Sequence, residues 1–454
     1  MKEYDIIVIG SGSGLSLVYK ALSEEMKVAL VAREFIGGTC LNVGCTPSKT
    51  LLYPADVVTQ IVEARRLGVE AQIKSIDFAG IMARMRATVR EGTEFLRNDL
   101  AESKNLDFYQ AEGQFIGEYT LEASGKKIRA PKIFIASGAR PAIPPIKGIA
   151  EVSYLTNETL LNLEKLPESI IIVGGSYIGV EYAHFFAGMG SAVTVVEYND
   201  RLVSFEEPEV SMVLEKALDK RMGVFLGHEA LSAGEDRGRF DLTVRNRRDG
   251  TERKITGQAI LIAAGRKSNA DRLDVAKTGV RLTPAGYIDV DDFLQTSKPN
   301  IWAFGDATGK GMFTHAAEFE VGIAWHNANR EDKRKMEFRN VPHAVFTSPQ
   351  IASIGLTEAE ARKSHNILVG KASYSDVVQG NVRLEEDGFA KAIVERETER
   401  ILGFHIIGPE ASTLIQEVVN VVVQGGSYRL ITDAMHIFPA MSELIPEALN
   451  HLKE

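Results

Sequence analysis

The chain has 454 residues and a mass of 49.7 kDa, and a domain holds roughly 150 residues, so about three domains are expected. Hydrophobic residues make up 44% and charged residues 25% of the sequence, which excludes a disordered or collagen-like chain. The formal net charge is −9 and no basic patch interrupts it, so we expect no nucleic-acid partner.

The N-terminal residues predict the opening of a βαβ unit and no targeting segment. Residues 5–9 (Asp-Ile-Ile-Val-Ile) are typical of a buried parallel strand, and a second apolar run follows a helical stretch at 27–31. The first run is too short for a signal peptide, and no stretch approaches the ~18 apolar residues of a membrane span. We therefore expect a cytoplasmic protein without a membrane span.

The turn after the first strand predicts a nucleotide site. Gly10 and Gly12 occupy the first two positions of G-x-G-x-x-G, where missing side chains let a pyrophosphate lie at a helix N-terminus. Leu15 occupies the third position, and Ala32 stands where an acidic residue is expected, with Glu34 two residues later. An ordinary glycine turn is the alternative interpretation.

The two cysteines, Cys40 and Cys45, indicate redox chemistry. Two cysteines in so long a chain cannot form the disulfide framework of a secreted protein, and they are close enough in sequence to react with each other. In a regular helix they would be too far apart for a disulfide, so an irregular turn around Gly44 is required. A thiol at a helix N-terminus has a stabilised thiolate. Zinc is the alternative, but a structural zinc site uses four ligands and the chain has no second cysteine pair.

A second βαβ unit follows a long helix and a linker. Residues 78–104 carry charges at the spacing of an amphipathic helix, and residues 141–145 contain the three prolines of a predicted linker. Residues 169–197 then repeat the order strand, glycine-rich turn, helix and strand, which predicts two dinucleotide-binding domains in one chain. From about residue 337, strands followed by helices predict a C-terminal α+β domain.

The second glycine turn predicts a site for NAD(H). Gly174, Gly175 and Gly179 fit the dinucleotide motif, with Ser176 as a small replacement for the middle glycine. Glu197 ends the following strand, where a carboxylate can accept hydrogen bonds from both ribose hydroxyls and would repel a 2′-phosphate. NAD(H) is therefore favoured over NADP(H). A solvated glutamate at a strand end is the alternative for Glu197.

Several segments together resemble the class I pyridine nucleotide-disulfide oxidoreductases. Residues 37–49, Gly-Gly-Thr-Cys-Leu-Asn-Val-Gly-Cys-Thr-Pro-Ser-Lys, resemble the redox-disulfide motif of this family, which includes dihydrolipoamide dehydrogenase, glutathione reductase and mercuric reductase. Residues 135–141 and 263–266 resemble its two crossovers between domains, 301–306 its second flavin motif, and 341–357 the start of its dimerisation domain. The resemblance covers essentially the whole chain.

The resemblance implies an α/β fold with two Rossmann-like domains, for FAD and NAD, and a C-terminal α+β dimerisation domain in a homodimer. The implied segments are 1–148 for the first part of the FAD domain, 149–271 for the NAD(P) domain, 272–336 for the return of the FAD domain, and 337–454 for the dimerisation domain.

The resemblance also implies roles for individual residues. Cys45 would be the sulfur that faces the flavin, and Cys40 the interchange thiol that attacks the substrate. Lys49 and Glu181 resemble the pair beside the flavin N5, and Tyr177 resembles the aromatic lid over the nicotinamide pocket.

The cofactor sites implied by the resemblance contain residues from many parts of the chain. Asp306 would bind the ribityl chain of FAD, Gly113 the adenine, and Met312 to His315 the pyrimidine side of the flavin. The full FAD set is Gly10, Ser11, Gly12, Gly14, Glu34, Gly38, Thr39, Lys49, Gly113, Ser137, Gly138, Asp306, Met312 and His315. The NAD set is Gly174, Gly175, Ser176, Tyr177, Ile178, Gly179, Glu181, Glu197 and Gly265. No metal site is expected.

The C-terminal segment departs from the disulfide reductases of the resembled family. Those enzymes have His-Pro followed four residues later by Glu, and the His takes a proton from the substrate dithiol. Here Phe438 occupies the His position, while Pro439 and Glu443 remain, and a phenyl ring cannot exchange protons. His436 is the nearby histidine. Phe-Pro is similar to mercuric reductases, but the cysteine pair that those enzymes carry near the C-terminus is missing here.

The sequence thus predicts an FAD-dependent NAD(P)H oxidoreductase of the dihydrolipoamide dehydrogenase-like type. Its catalytic residues would be Cys40, Cys45, Lys49, Glu181 and Glu443, and its substrate a small disulfide or dithiol. The first alternative is an NADH-dependent reductase of a quinone, a metal ion such as Hg(II), or a per- or polysulfide. The second is a flavin-binding regulatory protein without a catalytic cycle.

Overall fold

The computed structural model describes residues 1–33 and 35–454, so the predicted FAD residue Glu34 lies outside the described residues. The described chain divides into two compact units. The first contains residues 1–48, 83–142 and 265–338, and the second contains residues 49–82, 143–264 and 339–454.

The core of the first unit is a parallel sheet made of short, β-branched strands. Its order is Ile301–Ala303, Lys132–Ile135, Ile6–Ile9, Val28–Val31 and Leu106–Tyr109. Ile6–Ile9 and Val28–Val31 are buried at every position, as expected for parallel strands covered on both faces. The helices that begin in this unit are Gly14–Ser23, Gly38–Val43, Cys45–Glu63 and Thr314–Asn329.

Two smaller sheets complete the first unit. One contains Lys2–Glu3, Lys126–Arg129, Thr120–Ala123 and Gln114–Gly117, and the other pairs Ala139–Pro141 with Arg266–Ser268. The predicted long helix is observed as Phe78–Glu102. The pair 139–141 and 266–268 joins the two predicted crossover segments as antiparallel neighbours.

The second unit contains a second parallel sheet, in which strands again alternate with helices along the chain. Its order is Gly223–Phe225, Ala192–Val196, Ser169–Val173 and Ala259–Ile262. The helices Tyr177–Met189 and Pro208–Asp219 follow the strands Ser169–Val173 and Ala192–Val196. An antiparallel sheet of His228–Asp236, Arg239–Asn246 and Glu252–Gly257 is inserted before the last parallel strand.

The C-terminal residues of the second unit form a five-stranded antiparallel sheet with helices. The strand order is His343–Val345, Gln350–Gly355, Ile401–Gly408, Phe389–Glu395 and Ile367–Ser373. Apolar side chains of the sheet share a buried core with the helices Ala411–Val423 and Leu444–Asn450. Shorter helices are Glu358–Ala361, Val378–Val382 and Arg429–Thr432. Two parallel-sheet domains and a C-terminal α+β domain confirm the predicted fold class.

The helices also bear on membrane topology. Among the described residues, none of them is both long and apolar enough to cross a membrane.

Candidate active site

The two cysteines are brought together by the irregular turn that the sequence requires. Helix Gly38–Val43 ends at Gly44, and the next helix begins at Cys45. A Cβ atom on Gly44 would lie 2.9 Å from the carbonyl oxygen of Thr39 and 3.3 Å from the Cα of Cys40, so a larger residue could not stand here without moving the backbone. Within the described residues, the two cysteines are not joined by a disulfide.

The electrostatics of the pair place the proton on Cys40. The hydrogen bond with Cys45, and then burial, raise the pKa of Cys40 well above its usual range. Cys45 is the more exposed of the two and is the first residue of its helix, where the helix dipole stabilises a thiolate. Its Sγ lies 3.4 Å from the Oγ1 of Thr314. The arrangement can therefore hold a thiolate on Cys45 beside a protonated Cys40.

The first glycine turn has the close backbone approach that a pyrophosphate site needs. Gly10 has a φ of +109°, and a Cβ there would lie 2.0 Å from the carbonyl oxygen of Ala136. A Cβ on Gly38 would lie 2.4 Å from the Cα of Gly12. The backbone of this turn therefore packs directly against the backbone at the start of helix Gly38–Val43. Ser11, next to these glycines, donates a hydrogen bond to the carbonyl oxygen of Phe35 at 2.8 Å.

The residues around the first glycine turn fit FAD. The Oγ of Ser137 is buried and has no hydrogen-bond partner within the described part of the chain, and Gly138 follows in a left-handed conformation with open space beside it. Gly113 lies at the end of strand Val28–Val31, where a Cβ on it would come within 2.8 Å of Val31. An unsatisfied hydroxyl and open glycine backbone after a parallel strand are what a bound dinucleotide would complete. When bound, FAD supplies two-electron transfer between a nicotinamide and a dithiol.

Asp306 lies in the one-turn 3-10 helix Gly305–Ala307 and is paired within its unit. Its Oδ2 accepts a hydrogen bond from the Nε of Arg266 at 3.1 Å. Burial raises the pKa of Asp306, and the Arg266 guanidinium opposes that shift. The backbone N–H of Gly305 donates to Glu320 at 2.7 Å. Burial, which is the main cause, raises the pKa of Glu320 to about 7.

The other residues predicted near the flavin follow this turn. Met312 precedes helix Thr314–Asn329, of which His315 is the second residue, and the His315 ring stacks on Phe313 with centroids 5.6 Å apart. The structure therefore gathers Gly10 to Gly14, Gly38, Thr39, Ser137, Gly138, Asp306, Met312 and His315 in the first unit.

The second glycine turn is held by the glutamate that was predicted to bind ribose. Gly174 has a φ of +114°, and a Cβ on Gly179 would lie 1.9 Å from the carbonyl oxygen of Gly174. Glu197 is buried, and its carboxylate accepts the N–H of Gly175 at 2.5 Å and the N–H of Asn199 at 2.7 Å. Glu197 is therefore not the solvated strand-end residue of the alternative interpretation. Its carboxylate is fixed at the turn by these two backbone hydrogen bonds.

The helix that follows this turn contains Tyr177, Ile178 and Glu181 of the predicted residues. Ser176 is its N-cap, and Tyr177 and Ile178 are its first residues. The Nζ of Lys49 lies 2.8 Å from Glu181, whose other oxygen accepts the backbone N–H of Phe346 at 2.9 Å. Gly265 belongs to the first unit, has a φ of +122°, and has open space at its Cβ position.

The C-terminal segment keeps Glu443 but gives it a different partner. Glu443 accepts the backbone N–H of Ala440 at 3.1 Å and so closes the turn Met441–Glu443. Phe438 is 70% exposed. The Nε2 of His436 lies 3.0 Å from Glu417 and its Nδ1 lies 3.2 Å from the carbonyl oxygen of Ala434. Both ring nitrogens of His436 thus lie within hydrogen-bond distance of other groups of this chain.

Sequence analysis did not predict several residues that contact the predicted site residues but lie apart from them in the sequence. Thr314 was included only as part of the flavin-side segment, and its contact with Cys45 was not predicted. Arg266 was recognised only as part of a crossover motif. Glu320 and Phe346 carried no signal, because a buried helix glutamate and a strand-end aromatic have no motif of their own.

Comparison with known proteins identifies the family. Residues 4–320 match the family described as pyridine nucleotide-disulphide oxidoreductase, and residues 341–449 match its dimerisation domain. A dihydrolipoyl dehydrogenase of Bacillus subtilis (strain 168) is 32% identical over 462 residues, which cover 98% of this chain and 97% of the relative. A mercuric reductase of Lysinibacillus sphaericus is 32% identical over 446 residues, which cover 97% of this chain and 81% of the relative.

A solved structure supports the same assignment. The Cu(II) complex of the HOCl-induced flavoprotein disulfide reductase RclA from Escherichia coli is similar to this chain with a TM-score of 0.88 at 28% identity, over 99% of both chains. The dimerisation domain indicates a homodimer. The chain therefore belongs to the class I pyridine nucleotide-disulfide oxidoreductases, which are FAD-containing, NAD(P)H-dependent enzymes.

Proposed function

We propose that this enzyme uses NADH to reduce a small disulfide through Cys40 and Cys45. The observation that carries the proposal is the cysteine pair itself, which the turn at Gly44 brings together with Cys45 as the first residue of a helix. Two electrons from NADH open the Cys40–Cys45 disulfide. Cys40 then attacks one sulfur of the substrate disulfide as it gives up its proton, and the other sulfur takes a proton and leaves as the first thiol. Cys45 attacks the Cys40 sulfur of the mixed disulfide to release the second thiol and re-form the Cys40–Cys45 disulfide. The net change is one NADH and one proton consumed and two thiols formed.

The preference for NADH is supported by Glu197. The carboxylate is buried and fixed by Gly175 and Asn199, so it cannot turn away from a 2′-phosphate without breaking those hydrogen bonds. We expect kcat/KM for NADH to exceed that for NADPH.

A second class of acceptor is supported by the C-terminal segment. Phe438 has no exchangeable proton, His436 is engaged on both nitrogens, and Glu443 caps a backbone turn. Acceptors that need little acid–base help from a side chain, such as a quinone, a per- or polysulfide or a metal ion, would suit this segment. Relatives named mercuric reductase and the Cu(II) complex of RclA support the metal ion among them.

The experiment is a turnover screen of the purified yellow enzyme. NADH consumption is measured with lipoamide, other small disulfides, quinones and Hg(II), each with the wild type and with Cys40→Ser. Disulfide turnover that is lost in Cys40→Ser supports the first proposal. Turnover that is fast only with quinones or Hg(II) supports the second, and no NADH turnover with any acceptor contradicts both.

A further inference from the structure

One polar side chain from each strand of the C-terminal sheet forms a row across that sheet. Strand pairing places these side chains opposite one another in the order His343, Ser353, His405, Lys391 and Lys371. Ser353, His405 and Lys391 are buried. Buried polar groups are hydrogen-bonded in native proteins, so this row requires partners from another element.

The partners are the glutamates at the start of helix Pro208–Asp219. Glu206 lies 2.7 Å from the Nε2 of His343 and accepts a hydrogen bond from Ser353 at 2.5 Å. Burial would raise the pKa of Glu206, but His343 and Ser353 outweigh burial, so the pKa lies below its usual range. Glu207 pairs with Lys391 at 3.1 Å. The polar row therefore fixes the residues that lead into the helix.

Residues 202–206, here called the strap, connect the polar row to the second glycine turn. The N–H of Val203 donates to the carbonyl oxygen of Gly175 at 2.9 Å, and Glu206 at the other end is bound by the row. Val203 has a φ of +40°, a conformation that a β-branched residue adopts only when its surroundings impose it. The strap is thus held at both ends in a disfavoured conformation.

The strap places one aromatic ring against the first residue of the dinucleotide helix. The Phe205 ring packs edge-on against Tyr177 with centroids 6.3 Å apart and an interplanar angle of 77°. Its centroid lies 5.6 Å from that of the His343 ring. Phe205 is 45% exposed, so burial in a core does not account for this position.

We propose that Phe205 is a positioning residue for Tyr177 and that Glu206 and His343 hold Phe205 in place. The proposal rests on the role inferred for Tyr177 at the nicotinamide pocket. A ring with that role covers the pocket and has to move before the nicotinamide half can enter, so the contact of Phe205 with Tyr177 would oppose binding of the complete dinucleotide. ADP-ribose lacks nicotinamide and does not require that movement.

The first test compares the affinities of NAD⁺ and ADP-ribose for the oxidised holoenzyme by calorimetry. Phe205→Ala should lower the Kd of NAD⁺ roughly two- to twelve-fold, the range expected for one edge-on aromatic pair, and should leave the Kd of ADP-ribose unchanged. Phe205→Tyr keeps the ring and should behave like the wild type. Met212→Ala, which truncates an exposed residue of helix Pro208–Asp219, is the control for nonspecific effects.

The second test asks whether Glu206 acts through Phe205. Glu206→Gln should lower the Kd of NAD⁺ in the wild-type background and have no further effect in Phe205→Ala, since residues that act through one contact are non-additive. If Glu206→Gln does not fold, His343→Gln is used in the same cycle.

The outcomes separate this inference from the proposed function. Unchanged or weakened NAD⁺ binding in Phe205→Ala, an equal shift for ADP-ribose, or an additive Glu206→Gln effect would overturn the positioning role. A wild-type enzyme that binds neither NAD⁺ nor NADH would instead contradict the NADH preference proposed above.

Discussion

The hydroxyl of Thr314 lies 3.4 Å from the Cys45 sulfur, within hydrogen-bond reach. A hydroxyl that donates to a thiolate stabilises the charged form, and its loss should raise the pKa of the thiol. Thr314 is also the first residue of helix Thr314–Asn329, so that helix dipole favours a negative charge at the same place.

Thr314→Val should raise the pKa of Cys45 by about one unit, the value of a modest charge-assisted hydrogen bond. The measurement is a pH titration of the thiolate absorbance in Cys40→Ser, where Cys45 is the only thiol. Thr88→Val removes an exposed hydroxyl on another helix and is the control. Equal midpoints with and without Thr314→Val would show that the hydroxyl does not stabilise the thiolate.

Phe438 should limit the oxidation of dithiols. A positioned general base contributes ~10²–10⁴-fold to such a step, and without one the substrate must supply its own thiolate, of which only a few per cent forms at neutral pH. We expect slow oxidation of dihydrolipoamide by the wild type, with a rate that rises toward the thiol pKa.

Phe438→His should raise that rate near neutral pH, since the new imidazole can accept the proton. Ile437→His, at a neighbouring position that is also exposed, is the matched control and should not raise it. Fast dihydrolipoamide oxidation by the wild type, with a plateau near neutrality, would mean that another residue serves as the base, and His436 would be mutated first.

At the scale of elements, local motifs predicted the turns but not the distant residues that contact them. Both glycine turns and the irregular backbone at Gly44 follow from short segments, because a missing side chain has a direct steric meaning. The pairing of Lys49 with Glu181 came from the family resemblance, since 132 residues separate them.

The residues that sequence analysis missed have partners that only the folded chain brings near. The polar row consists of side chains from five separate strands, and each of them alone resembles an ordinary polar strand residue. Thr314 contacts Cys45 across 269 residues of sequence, whereas Glu320 accepts the N–H of Gly305 across 15. Strand register sets the polar row and the packing of helix Thr314–Asn329 sets the other two contacts, and neither leaves a local sequence pattern.

Helix Thr314–Asn329 should make stability depend on pH through Glu320. Its folded pKa of about 7 lies above the ordinary value of 4.5, so the folded state binds more protons than the unfolded state, and stability falls as pH rises from about 4.5 through 7. The full difference amounts to about 3 kcal/mol.

Glu320→Gln cannot ionise and should therefore be more stable relative to the wild type at pH values above 7 than at pH values below 5. Thermal unfolding of both holoenzymes at the two extremes measures the difference. Glu318→Gln, an exposed neighbour on the same helix, is the control. If the difference in stability between the wild type and Glu320→Gln is the same at both pH extremes, Glu320 ionises normally in the folded state.

At the scale of the whole molecule, the dimerisation domain predicts that catalysis depends on two chains. In the resembled family the C-terminal segment of one subunit reaches the disulfide of the other, and a symmetric dimer would then have two shared sites. Mixing Cys45→Ser with a variant impaired at residues 438–443 should restore part of the activity in heterodimers. Full turnover by a species that sediments as a monomer would contradict this arrangement.

The most direct test of electron transfer from NADH to Cys40 and Cys45 is an anaerobic NADH titration of the yellow holoenzyme followed by its visible spectrum. The wild type should develop a long-wavelength charge-transfer band, because a Cys45 thiolate forms beside oxidised flavin. Cys40→Ser should show the band without any reductant, and Cys45→Ser should never show it. Identical spectra for the two variants, or a wild type that reaches full reduction without the band, would contradict the assignment of the cysteine pair as the electron acceptor.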